Sequence, residues 1–138
     1  MSKHITLGGT ATGPLAGIKV ADFSAVFSGP ICAGILGDQG ADVIKVEAFS
    51  GDMIRRGLPQ SNGMGSAFTT MNRNKRSLCL DLQNAEGREI AAKLICSSDV
   101  VLENFRPGVM DRLGLGYEAV ADINPKIIYA AAIGFGTG

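Results

Sequence analysis

The chain has 138 residues, 46% hydrophobic and 19% charged, enough for one buried core and too apolar for a disordered segment. Thirteen basic residues balance thirteen acidic ones, so the cationic surplus with which a nucleic-acid binder replaces counterions is missing. No apolar run reaches the roughly 20 residues of a membrane span, and the opening residues lack a signal peptide's apolar stretch. The expectation is a cytoplasmic protein with neither nucleic-acid nor membrane partners.

Residues 1–14 are Gly/Thr-rich and aperiodic and read as a flexible leader ahead of one unit over 15–138. Ile18–Phe23 reads as a first strand and Ser24–Gly29 as a loop. Pro30 suits a helix's first turn, where its missing N–H costs nothing. Ile31–Gln39 then reads as a short helix, closed by Gly40 where a left-handed backbone is needed. Ala41–Glu47 alternates as a second strand. Between Ala48 and Arg76 periodicity is lost over a stretch too long for a plain connection, a candidate functional loop.

Ser77–Leu82 reads as a third strand. Asn84 is placed to cap a helix, with Glu86 in its first turn. Gly87, Ile90, Ala91, Leu94 and Ile95 fall on one face of that helix, and Glu89 and Lys93 make an i,i+4 pair. Val100–Glu103 is a fourth strand, apolar as one covered on both faces should be. Arg106–Leu113 and Tyr117–Asn124 read as short helices, and Lys126–Ile133 as a fifth strand. Tyr117 and Tyr129 read as packing residues. Strands alternating with helices predict an α/β, Rossmann-like, doubly wound and mainly parallel sheet, a partial domain. Ligands bind such sheets beyond the carboxyl ends of the strands, at the topological switch point.

The chemistry available is narrow. Cys32, Cys79 and Cys96 are widely spaced and read as small buried hydrophobes, and the only histidine is His4 in the leader. Tetrahedral zinc and Ser/His or Cys/His catalysis therefore lack their residues, and no metal is expected. Gly134-x-Gly136-x-Gly138 follows a strand, but without the helix that a dinucleotide fingerprint requires it reads as a glycine-rich exit. No phosphate-cradling Gly-x4-Gly-Lys motif occurs. Between Asp42 and Arg76 six basic residues stand against three acids. That loop is either a solvated basic surface or a seat for a polyanionic small molecule, through Arg55, Arg56, Arg73, Lys75 and Arg76. After the fourth strand, Asn104 offers an amide donor and acceptor, and Arg106 and Arg112 sit on or beside the following turn.

Several blocks of this sequence are familiar together. LAGIKVADF (Leu15–Phe23) with Ser28-Gly-Pro30, LGDQGADVIKVE (Leu36–Glu47), NRNKRS (Asn72–Ser77), LDL (Leu80–Leu82), DVVLENFRPG (Asp99–Gly108), Asn124-Pro125 and Gly134-Phe-Gly136 resemble the class III CoA-transferases. That superfamily includes formyl-CoA and carnitine-type transferases and the alpha-methylacyl-CoA racemases. The resemblance implies a CoA-binding N-terminal portion of a larger enzyme, with no tightly bound cofactor and with coenzyme A or acyl-CoA as substrate. It implies CoA contacts at Phe27 and Ser28, an adenine region at Leu80 and its neighbours, and a pantetheine side at Asn104, Phe105 and Arg106. It further implies a phosphate contact at Arg112, with Arg73 and Lys75 as further phosphate clamps. Phe27, Ala48 and Gln83 stand where members often carry a polar residue, a basic residue and a lysine.

The implied reaction moves CoA between an acyl-CoA and a free carboxylic acid through an aspartyl intermediate. The aspartate is expected beyond Gly138, so no residue here is a catalytic candidate and the chain alone is expected to be inactive. A homodimer is the expected assembly. Racemisation by a His/Asp pair, and a non-catalytic CoA-binding or interaction module, are the alternatives.

Overall fold

A computed structural model describes residues 11–136; most of the leader, including His4, and the terminal Thr137 and Gly138 lie outside the described residues. The chain folds as β1 (Lys19–Asp22), α1 (Ser28–Asp38), β2 (Asp42–Glu47), a 3-10 turn (Met53–Arg56), β3 (Gln60–Ser61), β4 (Met64–Gly65) and α2 (Ser66–Met71). It continues with β5 (Lys75–Cys79), α3 (Ala85–Cys96), β6 (Val100–Glu103), α4 (Val109–Arg112), α5 (Tyr117–Ile123) and β7 (Ile128–Ala131). Five strands form a wholly parallel sheet in the order β5-β2-β1-β6-β7, and β3 and β4 pair as a separate two-stranded ribbon. The α/β, doubly wound expectation is met. The chain moves outward from β1 to β5 and then crosses to β6, so the switch point lies between β1 and β6.

The period of two along each strand builds two apolar layers. Ala21, Val46 and Val101 face Ala91 and Ile95 of α3 and Val120 of α5, whereas Val20, Val43 and Leu102 face Ala33 of α1. Ala91 and Ile95 are fully buried at i,i+4, and burying an isoleucine side chain contributes about 1.5–3 kcal/mol. The Asn84 side chain caps α3 by accepting from the Glu86 amide at 2.9 Å. Gly40 closes α1 at φ +99°. Tyr117 and Tyr129 pack edge to face with ring centres 6.0 Å apart.

Four expectations need correction. β5 begins at Lys75 rather than Ser77, because its pairing with β2 already starts with Lys75 opposite Val43. α1 begins at Ser28, which brings Ser28 and Gly29 out of the loop and into the helix. The stretch 48–76 is structured, since it has apolar residues to bury: Ile54 from the 3-10 turn and Phe68 from α2. The cysteines are all exposed rather than buried. Cys32 lies on the uncovered side of α1, Cys79 ends an edge strand, and the Cys96 thiol sits at the end of α3, donating to the Ile123 carbonyl at 3.5 Å.

Candidate functional site

On the α1 side of the sheet, the period that places Val20 and Val43 in the core also points Asp22, Lys45, Glu47 and Lys75 inward. These charges are buried and matched. Lys75 Nζ reaches Asp22 Oδ2 at 2.8 Å, with side-chain exposures of 2% and 0%. It also donates to the Pro30 carbonyl at 2.8 Å and to Asn72 Oδ1 at 2.9 Å. Burial pushes the Lys75 ammonium below its ordinary value, and the Asp22 carboxylate opposes that shift. Lys45 Nζ donates to the Ser24 carbonyl at 2.8 Å and pairs with Asp52 Oδ2 at 3.2 Å. Glu47 takes two bonds from Arg55, at 2.7 and 2.6 Å, and one from the Asp52 amide at 3.0 Å. The Arg55 guanidinium in turn lies 3.8 Å from the Phe68 ring centre. No buried side-chain polar atom among the described residues lacks a partner.

Burial works to raise the Glu47 carboxyl, but the Arg55 guanidinium, the Asp52 amide and Lys45 outweigh it and hold the group below 4.5. A depressed acid stabilises the fold above its unfolded-state value and loses that contribution as pH falls through its folded-state value. Arg55→Met should therefore lower the urea midpoint at neutral pH, and the gap to the parent chain should narrow once pH drops below 4.5. A gap that stays constant through that range would show that Glu47 ionisation does not carry the contribution. Glu103 is shifted the other way: burial raises it, against the bond it accepts from the Phe105 amide, and Asp111 adds to the rise.

Above this charged layer, the loop after β1 meets the loop after β6 at the switch point. Asn104 closes the junction, accepting from the Ala25 amide at 2.8 Å and donating to the Ala25 carbonyl at 2.7 Å. A Cβ on Gly29 would collide with the Ser24 side chain, so only glycine lets the first turn of α1 lie this close to the loop. Beside the junction, a cavity of about 280 Å³ opens over the carboxyl ends of β1, β2 and β5. Its walls are Phe23, Val46, Leu80, Leu82, Phe105 and Val109, and its polar edge carries Lys45, Glu47 and Asp52. Phe105 also borders a second depression of about 360 Å³ between the ends of β6 and β7. An apolar slot with a few fixed polar groups is the usual form of a small-molecule site.

The structure brings together some of the residues singled out in the sequence and separates others. Leu80 and Phe105 line the cavity, and Asn104 stands at its junction, although both ends of its amide are taken by Ala25. Arg112, on α4 next to the lining Leu113, and Arg106, on the intervening turn, are exposed and make no ion pair or side-chain hydrogen bond among the described residues. Phe27 and Ser28 are exposed at the start of α1, across the junction from Asn104.

Arg73 does not join them. It precedes the first residue of a parallel strand, which places it at the opposite, amino-terminal edge of the sheet, where its guanidinium is held by Asp38. Lys75 is enclosed, with its donors committed to Asp22, Pro30 and Asn72. At that opposite edge lies a larger depression of about 820 Å³. The arginines there are neutralised in place, Arg73 by Asp38 and Arg76 by Asp42. The sequence reading did not single out Lys45 or Asp52. The available signal was a lysine at a core-facing position of a strand, two residues beyond Val43, which requires a buried partner.

Comparison with known proteins identifies a family for the chain. The family model described as CoA-transferase family III matches residues 15–138. A succinyl-CoA–L-malate CoA-transferase beta subunit from Chloroflexus aurantiacus is 46% identical over 94% of this chain and 32% of its own length. A formyl-CoA:oxalate CoA-transferase from Afipia carboxidovorans is 48% identical over 90% of this chain and 30% of its own. The crystal structure of a CaiB/BaiF family protein from Brucella suis superposes with a TM-score of 0.88 at 41% identity, covering 92% of this chain and 35% of that one. The chain thus spans about a third of the length of these relatives.

Proposed function

The chain belongs to CoA-transferase family III, and from that premise we propose that its carboxyl edge holds the CoA moiety of an acyl-CoA while CoA passes to a free carboxylic acid. The observation that carries the reading is the apolar cavity at the switch point, lined by Phe105 and Leu113, the chain neighbours of Arg106 and Arg112, whose exposed guanidinium groups make no ion pair among the described residues. Leu80, Leu82 and Phe105 offer apolar surface to an adenine ring, and Asp81 and Gln83 stand at its rim. Arg112 and Arg106 are free to form charge-assisted bonds to phosphate. The pantetheine arm runs over Phe105 toward the second depression, with Phe27 and Ser28 on the facing side of the junction.

In this reading the acyl transfer proceeds through an aspartyl intermediate. Neither buried aspartate is free to serve as that nucleophile, because Asp22 is held by Lys75 and Asp52 by Lys45. No helix among the described residues is long and apolar enough to cross a membrane. We propose a cytoplasmic enzyme that acts as a homodimer on small carboxylates; the malate and oxalate in the names of its relatives support the carboxylate class.

Isothermal titration of the 138-residue chain with CoA and with pantetheine tests the reading. Saturable binding of CoA and none of pantetheine is expected, because the adenine and phosphates provide the contacts. Equal binding of both, or of neither, would contradict it and favour an interaction module.

A further inference from the structure

We propose that Asp52 is a positioning residue for this site, holding the loop after β1 in a strained conformation that sets where Phe27 and Ser28 lie relative to Asn104. The inference rests on the CoA reading above and adds to it a residue of the cavity's edge whose carboxylate oxygens are both engaged by protein groups. Its starting point is Val26, which sits at φ +71°. A β-branched residue is a genuine outlier there, because its Cβ crowds the backbone, and such conformations persist only where the surroundings over-determine them.

The surroundings do so at three successive residues. The Ser24 carbonyl accepts from Lys45 Nζ at 2.8 Å, both polar groups of Ala25 are bonded to Asn104, and the Val26 amide donates to Asp52 Oδ2 at 3.1 Å. Asp52 is itself fixed. Its Oδ1 accepts from the Ile54 amide at 3.2 Å, its own amide donates to Glu47 at 3.0 Å, and its side chain is 1% exposed. Lys45 and Asp52 thus act as one clamp that grips the loop at Ser24 and Val26 from the β2 side, while Asn104 grips it at Ala25 from the β6 side. The strain is placed at the switch point, between the two loops that frame the cavity. Without the Asp52 carboxylate, Val26 has every reason to relax to negative φ, which would swing Phe27 and Ser28 away from the junction.

A double-mutant cycle separates this role from a general contribution to folding, because glycine adopts positive φ without the Cβ penalty and needs no clamp. Asp52→Ala and Val26→Gly are made singly and together in the 138-residue chain, and each variant is read by CoA affinity and by urea midpoint. Asp52→Ala should weaken CoA binding about tenfold in the Val26 background, the size of one lost bond to a charged group, and much less in the Val26→Gly background. Equal losses in both backgrounds, or no loss in either, would overturn the proposal.

Asp52→Ala also strips Lys45 of its carboxylate, so a charge-balanced Lys45→Met/Asp52→Ala pair is run in both backgrounds in case the single variant fails to fold; the same coupling is expected. If the parent chain binds no CoA, the CoA reading fails, and with it the placement of Phe27 and Ser28 for a ligand. The clamp on Val26 is then judged by the urea cycle alone, where additive losses would refute it as well.

Discussion

Lys75→Met should lower the unfolding free energy by about 3–5 kcal/mol, the usual cost of stranding one member of a buried ion pair. Asp22 is completely buried beside Lys75 and would keep only the Ser24 amide and hydroxyl as donors. Folded domains are typically stable by only about 5–15 kcal/mol, so this is a large share of the total. The partner variant decides the mechanism. Asp22→Asn combined with Lys75→Met removes both charges and should recover most of the loss, since an uncharged pair carries no uncompensated ion. Urea denaturation of the single and double variants beside the parent chain measures it. A double variant as unstable as the single would show that Lys75 matters through packing of its aliphatic stem rather than through charge.

Arg112→Ala should weaken CoA binding by about 1.5–3 kcal/mol, the worth of a hydrogen bond to a charged group, with little change in stability. Its guanidinium is exposed and unpaired among the described residues, so removal strands no partner within the protein. Arg73→Ala is the informative contrast. Its ion pair with Asp38 lies at the far edge of the sheet with both side chains well exposed, 44% and 37%, so its loss should change stability little. It should leave CoA affinity unchanged. Calorimetry on both variants compares them directly, and a larger effect from Arg73 than from Arg112 would put the phosphates at the wrong edge.

The difference between those two arginines shows what the sequence could and could not disclose. Alternating runs such as Ala41–Glu47, with helical spacing from Gly87 to Ile95, were enough for the parallel α/β fold, since both periods reflect burial against a neighbouring layer. The position of β5 was harder to see: Lys75 and Arg76 look like loop residues until pairing with β2 requires them to extend. Composition grouped Arg55, Arg73, Lys75 and Arg76 as one basic patch, yet each is neutralised by a different carboxylate, and those carboxylates come from α1, β1 and β2. The pairings of Arg73, Lys75 and Arg76 each span more than 30 residues and leave no local pattern, whereas Arg55 and Glu47 are eight apart. The Val26 outlier leaves none either, since nothing in Ser24–Gly29 announces positive φ at a β-branched residue.

The central claim is that CoA lies over the carboxyl ends of β1, β2 and β5, and amide chemical-shift mapping during a CoA titration tests it most directly. Perturbations are expected to cluster at Leu80–Gln83, Phe105 and Val109–Leu113, with Asp38–Ala41 and Asn74–Ser77 unmoved. Perturbations centred instead on Asp38–Ala41 and Asn74–Ser77, around the 820 Å³ depression at the amino-terminal edge, would contradict it.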